Sequence, residues 1–156
     1  MDGWYLILLP ALPAAVMSVS DFRERSVSVL SVAAFVLCSL AFSFLTGGVR
    51  VTLTRLAFNL ALLLLFSALL LAYWRIRYGK SGGMIDRAFG KGDILFLAGA
   101  APLLDPVPFC LFIAASCLAG VLWARLSSRK EIPFVGFGAP VLSLFLINSY
   151  LLQNVR

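Results

Sequence analysis

The chain has 156 residues, 62% of them hydrophobic, and a formal net charge of +6. A soluble domain of this size is roughly 45–50% apolar, so this composition and a mean hydropathy of +1.00 exclude an ordinary soluble protein and leave no room for a soluble catalytic domain. The lack of histidine removes histidine-based acid–base catalysis and most zinc sites.

We therefore expect one all-α, membrane-embedded domain over residues 1–156, in which any chemistry comes from helix ends and short loops. No metal or cofactor is predicted. The basic residues are scattered over the predicted loops, so we expect no nucleic-acid partner. The three cysteines lie inside apolar segments, are odd in number and form no CxxC pair, which is typical of buried small hydrophobic residues: Cys38, Cys110 and Cys117.

Six apolar segments are candidates for membrane-spanning helices. The first runs from Trp4 to Ser20, and because basic residues follow it rather than precede it, we expect a retained span and not a signal peptide. The break at 46–48, Thr-Gly-Gly, ends the second segment, and Asn59 in the third could bond across helices. The other segments are 27–45, 51–74, 93–104, 107–126 and 133–152.

The basic residues predict the orientation of these spans. Most of the 13 lie in the segments after spans one, three and five, and the exceptions are Arg50, Arg55 and Arg156. Because cytoplasmic loops are enriched in Lys and Arg, these three segments are expected in the cytoplasm. Six spans would then place both termini outside, in an inner (plasma) membrane protein that crosses the bilayer several times.

Two aspartates are predicted at the same depth on the cytoplasmic side. Asp21 follows the first span within a compact charged turn, 21–25, and Asp93 begins the fourth span. Two neighbouring carboxylates that share a proton can hydrolyse a peptide bond through water, one taking a proton and the other polarising the carbonyl. The spacing alone leaves other roles open, because Asp21 could pair with Arg25 and Asp93 could be the N-cap of its helix.

Three segments carry a resemblance to a known family. The first, Gly90-Lys91-Gly92-Asp93, looks like the GxGD signature of intramembrane aspartyl proteases. The second, which begins at Asp21 and contains Arg23 and Arg25, resembles the D-x-R-x-R-x-I segment of type IV prepilin peptidases. The third, Ile132-Pro133-Phe134, resembles their late I-P-F element. All three occur in the family's order.

The resemblance implies an aspartic endopeptidase with Asp21 and Asp93 as its catalytic residues. Its substrates would be prepilin-like or archaellin-like precursors, each with a basic leader before an apolar helix, cut at the cytoplasmic face of the lipid bilayer. The chain departs from the pattern at Ser28-Val29, where Pro-Asn is usual, and at Leu95, where Lys is frequent. It is more similar to the short forms that lack the cysteine-containing N-terminal domain.

Other residues near the aspartates have two interpretations each. Gly90 and Gly92 could support the active site or form a connector, and Arg23, Arg25 and Lys91 could support it or anchor the topology. Pro133 and Phe134 could position substrate or simply begin a helix. Glu24 and Asp86 are expected in solvated loops. The alternative function belongs to another class: the chain could be a non-catalytic membrane subunit, scaffold or small transporter with structural acidic residues.

Overall fold

The computed structural model describes residues 3–24, 27–78, 91–127 and 134–154. Every regular element in these ranges is helical, which confirms the all-α expectation there. A 3₁₀ turn, Gly3–Ile7, leads into α1. The α-helices are α1, Leu8–Glu24; α2, Val29–Tyr78; α3, Lys91–Ala100; α4, Pro106–Ser127; and α5, Phe134–Asn154.

The outer surface of the molecule is apolar. Within the described ranges, three stretches are long and apolar enough to cross a membrane, Tyr5–Arg23, Val29–Arg77 and Pro106–Leu126, and a shorter apolar stretch is Phe134–Ser149. Large apolar side chains are exposed along the second half of α2, among them Leu64, Leu65, Phe66 and Leu69. Such a surface would be unfavourable in water and is complementary to lipid, where a helix satisfies its own backbone groups.

Helix α2 is sharply kinked at Gly48, whose φ of 73° and ψ of 174° are not helical. Only glycine adopts this conformation without strain. Hydroxyls accompany the kink on both sides: Thr46 Oγ1 donates to Phe42 O at 2.8 Å, and Thr52 Oγ1 to Gly48 O at 2.9 Å. The predicted break at 46–48 is therefore present as a change of direction between two arms, 29–47 and 49–78.

The core is built around α3, whose Phe96 is fully buried. The ring of Phe96 stacks on Phe35 of α2 at a centroid distance of 5.1 Å and meets Phe112 of α4 edge-on at 6.3 Å. On a third side Phe96 packs against Gly138 of α5, where a Cβ would lie only 2.7 Å from Cε1 of the ring. This short helix is thus held by three longer ones.

Side chains of α2 fix the turn that follows α3. Asn59 is fully buried, and its Nδ2 donates to Ala101 O at 2.7 Å and to Leu104 O at 2.8 Å. Ser43 Oγ donates to Pro102 O at 2.7 Å and lies 2.9 Å from Thr52 Oγ1. Asn59 does bond outside its own helix, as expected, although its partners lie in the turn after α3 and not on a second helix.

An ion pair connects the same two elements near the surface. Arg55 Nε donates to Asp105 Oδ1 at 2.8 Å and Nη2 donates to Oδ2 at 3.3 Å, so the pair is bidentate. The Arg55 side chain is 16% exposed and that of Asp105 is 61% exposed. Exposed pairs of this kind contribute little to stability, so Asn59 and Ser43 hold the turn more firmly.

Three expectations require correction. Residues 101–104, predicted as the end of the fourth span, form a turn, because Asn59 Nδ2 donates hydrogen bonds to two of their carbonyl oxygens. The predicted charged turn at 21–25 is helical up to Glu24, since Asp21 is bonded to another helix. The cysteines are free and not fully buried, and Cys117 is exposed on the apolar surface.

Candidate active site

Asp21 lies in the last turn of α1 and is buried, with 8% of its surface exposed. Its Oδ2 accepts a hydrogen bond of 2.8 Å from the backbone N–H of Gly136. Gly136 is the third residue of α5, and the first N–H groups of a helix have no partner within it. The carboxylate therefore occupies the positive end of the α5 dipole, where a negative charge is favoured.

Ser18 bonds to the carbonyl group of the same residue, which belongs to the next peptide unit on the other side of the Gly136 Cα. Its Oγ donates to the carbonyl oxygen of Gly136 at 2.9 Å. Ser18 and Asp21 are three residues apart on α1 and therefore share one face of that helix. Both polar backbone groups of Gly136 are thus bonded to side chains of α1.

Close packing at Gly136 makes these bonds possible. A Cβ built there would lie 2.7 Å from Cε2 of Phe22, closer than real contacts allow. Phe22 in turn meets the rings of Phe137 and Trp123 edge-on, at centroid distances of 5.2 and 6.3 Å. The aromatic cluster, defined as Phe22, Trp123 and Phe137, brings α1, α4 and α5 together beside Asp21.

Asp93 is half-buried in the first turn of α3, where the helix dipole also favours a carboxylate. The helix runs from Lys91 to Ala100, so Asp93 is its third residue and not its N-cap, which is the other role that the sequence leaves open. Gly92 faces Val27, just after α1, and a Cβ on Gly92 would lie 3.4 Å from Cγ2 of Val27. One turn beyond Asp93, Phe96 packs on α5.

The end of α1 and the beginnings of α3 and α5 therefore meet at one end of the molecule. Gly136 links α5 to Asp21, and Gly138, two residues later, contacts the α3 helix that carries Asp93. The two aspartates predicted to act together lie on helices that both contact the first turns of α5 at this end. Asp105, by contrast, follows the opposite end of α3.

The predicted supporting residues are placed as follows. Arg23 is exposed, two residues after Asp21, and Gly92 is half-buried. Lys91 is the first residue of α3, and Phe134, the last residue of the I-P-F segment, is the first residue of α5 and is buried. Gly90, Arg25, Pro133 and Asp86 lie outside the described residues, and Glu24 is the last residue of α1.

Sequence reasoning missed Ser18 and Gly136. A weak signal for Ser18 is its spacing of three residues from Asp21, which gives both the same helix face. The alternation Gly136-Phe137-Gly138 indicates close approach of other elements, although it does not identify them. Over the four described ranges, no three Cys, Asp or Glu side chains form a group that could hold a metal ion.

The apolar helices are typical of an integral membrane protein, and a buried carboxylate lies at one end of the helix bundle. The chain belongs to the type IV leader peptidase family, whose model matches residues 7–125, and it is therefore a protease of the leader-peptidase kind. The match includes Asp21 and Asp93 and ends before α5. No curated protein and no solved structure matches the chain.

Proposed function

We propose that the chain is an aspartyl endopeptidase in which Asp21 and Asp93 form the catalytic pair. Its substrates are type IV prepilin-like precursors, from which it removes a short basic leader. Membership of the type IV leader peptidase family supports the substrate class. The placement of both carboxylates at one end of the molecule supports their pairing.

The bond from the Gly136 amide to the buried Asp21 is the observation that carries this proposal. A carboxylate is costly to bury among apolar groups and is retained where it has a function. The backbone donor offsets part of that cost and fixes the orientation of the carboxyl group. Asp93 begins a helix that packs on the same segment of α5, so a substrate backbone reaching this end would meet both.

The chemistry is hydrolysis of one peptide bond by one water molecule. One carboxylate takes a proton from water as the oxygen attacks the scissile carbonyl carbon, while the other, protonated, donates to the carbonyl oxygen. Collapse of the tetrahedral intermediate breaks the C–N bond, and the proton first taken from water passes to the leaving amine. Because the carboxylates share protons, they titrate as a pair.

The proposed arrangement in the membrane follows from the charges. Six crossings, formed by α1, the two arms of α2, and α3 to α5, give a single domain over residues 1–156 in the inner membrane with both termini outside. The aspartates then lie at the cytoplasmic face, beside the basic residues that attract anionic headgroups. A prepilin would lie with its apolar helix in the bilayer and its leader in the cytoplasm.

Co-expression with a candidate prepilin tests the proposal. Processing is followed by a gel shift, and the new N-terminus is located by mass spectrometry. The variants are Asp21→Asn and Asp93→Asn, with Asp105→Asn as the matched control. Asp105 undergoes the same chemical change at the far end of α3, where it is exposed and pairs with Arg55.

Processing by the wild type and the control, with none by either dyad variant, supports the peptidase. If the wild type leaves every candidate prepilin uncut, the substrate class is wrong. If it cuts and both dyad variants also cut, the aspartic mechanism is wrong. If neither the wild type nor any variant processes a prepilin, and the protein shows proton- or sodium-dependent flux, the non-catalytic membrane component is favoured.

A further inference from the structure

We propose, on the basis of the function proposed above, that Ser18 is a positioning residue for Asp21 and acts through the backbone of Gly136. Ser18 Oγ donates to the Gly136 carbonyl, and the Gly136 amide donates to Asp21. Ser18 thereby sets the direction of the N–H that orients the carboxylate. It takes no part in bond making.

Pro140 explains why the Gly136 carbonyl needs a donor from another helix. In an α-helix the carbonyl of residue 136 accepts from the N–H of residue 140. Residue 140 is a proline inside α5, which has no N–H and whose ring crowds the carbonyl four residues earlier. The Gly136 carbonyl has thus lost its ordinary helical donor, and Ser18 supplies one at 2.9 Å.

Two bonds fix the backbone at Gly136 more strictly than either could alone, because they hold the peptide units on both sides of its Cα. Its carbonyl and its N–H are both tied to α1, by residues three positions apart on one helix face. The contact with Phe22, which leaves no room for a Cβ on Gly136, prevents the peptide from moving toward α1. Without Ser18 the peptide unit after Gly136 loses its bond to α1, and because the φ and ψ of glycine are permissive, the preceding peptide unit, which carries the Gly136 N–H, can turn away from Asp21 Oδ2.

The first experiment is cleavage kinetics with Ser18→Ala and Ser18→Thr. Loss of one hydrogen bond of ordinary strength predicts a fall in kcat of about 10-fold for Ser18→Ala, with KM changed less than about twofold, because substrate binding is not affected. Ser18→Thr keeps the hydroxyl and should restore most of kcat. Ser143→Ala is the control, since among the described residues the Ser143 hydroxyl bonds within α5, to Ala139 O at 3.0 Å.

The second experiment repeats the Ser18 substitution in a Pro140→Ala background. Alanine at residue 140 restores an N–H that can donate to Gly136 O, and the site is exposed, so the smaller side chain is tolerated. Ser18→Ala should then lower kcat by less than about threefold, compared with about 10-fold in the wild-type background. If Ser18→Ala alone does not fold, rescue of both folding and kcat by Pro140→Ala supports the same coupling.

An NMR spectrum of ¹⁵N-glycine-labelled protein in detergent follows the Gly136 amide without any substrate. The Gly136 signal is assigned by its loss in Gly136→Ala. It should shift in Asp21→Asn and in Ser18→Ala, return toward the wild-type position in Ser18→Thr, and stay in place in Ser143→Ala. This readout separates the geometry of the contact from catalysis.

The outcomes are distinguishable. Three results would each overturn the positioning role while leaving the peptidase intact. They are an equal loss of kcat for Ser18→Ala in the wild-type and Pro140→Ala backgrounds, a change confined to KM, and a Gly136 NMR signal that does not shift. If the wild type cleaves no prepilin, the proposed function fails, and with it any effect of Ser18 on catalysis. The NMR result would still tell whether the contact exists.

Discussion

Phe22 and Gly136 touch so closely that a Cβ on Gly136 would lie 2.7 Å from Cε2 of the Phe22 ring. The contact brings α1 and α5 within hydrogen-bonding distance of each other beside Asp21. Because the ring belongs to the aromatic cluster and is held by Phe137 and Trp123, it cannot move away easily. Glycine is therefore the residue that this position requires.

Gly136→Ala should destabilise the protein by about 1–3 kcal/mol, the usual effect of overpacking. It should also reduce prepilin processing, because α5 is pushed away from Asp21. The measurement is thermal unfolding in detergent together with the cleavage rate. Phe22→Leu in the same chain should recover part of both losses.

Gly92→Ala serves as the stability control for this prediction. A Cβ on Gly92 would lie 3.4 Å from Val27 Cγ2, an ordinary van der Waals contact. An equal loss of stability for Gly92→Ala and Gly136→Ala would contradict the steric explanation.

Asn59→Asp should destabilise the protein more than Asn59→Ala. Alanine leaves the carbonyls of Ala101 and Leu104 without their buried donor. A hydrogen bond between helices of a membrane protein contributes about 0.6 kcal/mol on average, with a maximum near 1.7. The loss of two bonds should therefore lower the free energy of unfolding by about 1–3 kcal/mol. A charged aspartate would instead set acceptor oxygens against two carbonyls.

The readout for Asn59 is resistance to denaturation in detergent. Ser116→Ala is the comparison, because in the described part of the chain that buried hydroxyl bonds within its own helix, to Phe112 O. Its effect should be smaller than that of either Asn59 variant. The reverse order would mean that Asn59 does not hold the turn.

Gly48→Ala should destabilise the kink of α2 by about 1–3 kcal/mol. The φ of 73° and ψ of 174° at this residue belong to a region that is nearly closed to residues with a Cβ. Space is not the reason, since no atom would lie within 4 Å of the added Cβ. Val49→Ala, at an exposed neighbour, should have little effect on the same unfolding measurement.

The orientation in the membrane is tested with single cysteines in a background without Cys38, Cys110 and Cys117. A cysteine at Lys80, in the most basic predicted loop, should resist an impermeant thiol reagent in intact cells. A cysteine at Arg50, which is exposed near the kink, should react. The opposite pattern would place both aspartates on the outer face.

The sequence predicts those structural features that depend on the chemistry of a few neighbouring residues. The break at 46–48 follows from two consecutive glycines, and Asn59 could be expected to bond across helices because a polar side chain in an apolar span needs a partner. The pairing of Asp21 with Asp93 in one site remains a prediction supported by their placement. The count of six spans and the orientation also remain predictions.

Distant residues determine the features that sequence reasoning missed. The α1 helix continues through Asp21 because this carboxylate bonds to Gly136 of α5. The fourth apolar segment ends in a turn after Ala100 because the Asn59 side chain donates hydrogen bonds to two carbonyl oxygens of that turn. The hydropathy of the sequence predicts neither feature, because each depends on which helices become neighbours in the folded chain.

The central claim is tested most directly by prepilin processing in Asp21→Asn and Asp93→Asn, measured in protein that is inserted and monodisperse. Asparagine is nearly isosteric with aspartate and cannot take a proton from water. Each single variant should be inactive, the double variant no worse than either, and Asp105→Asn active. Near-normal processing by either variant would remove that aspartate from the mechanism, and normal processing by both would contradict the aspartyl peptidase altogether.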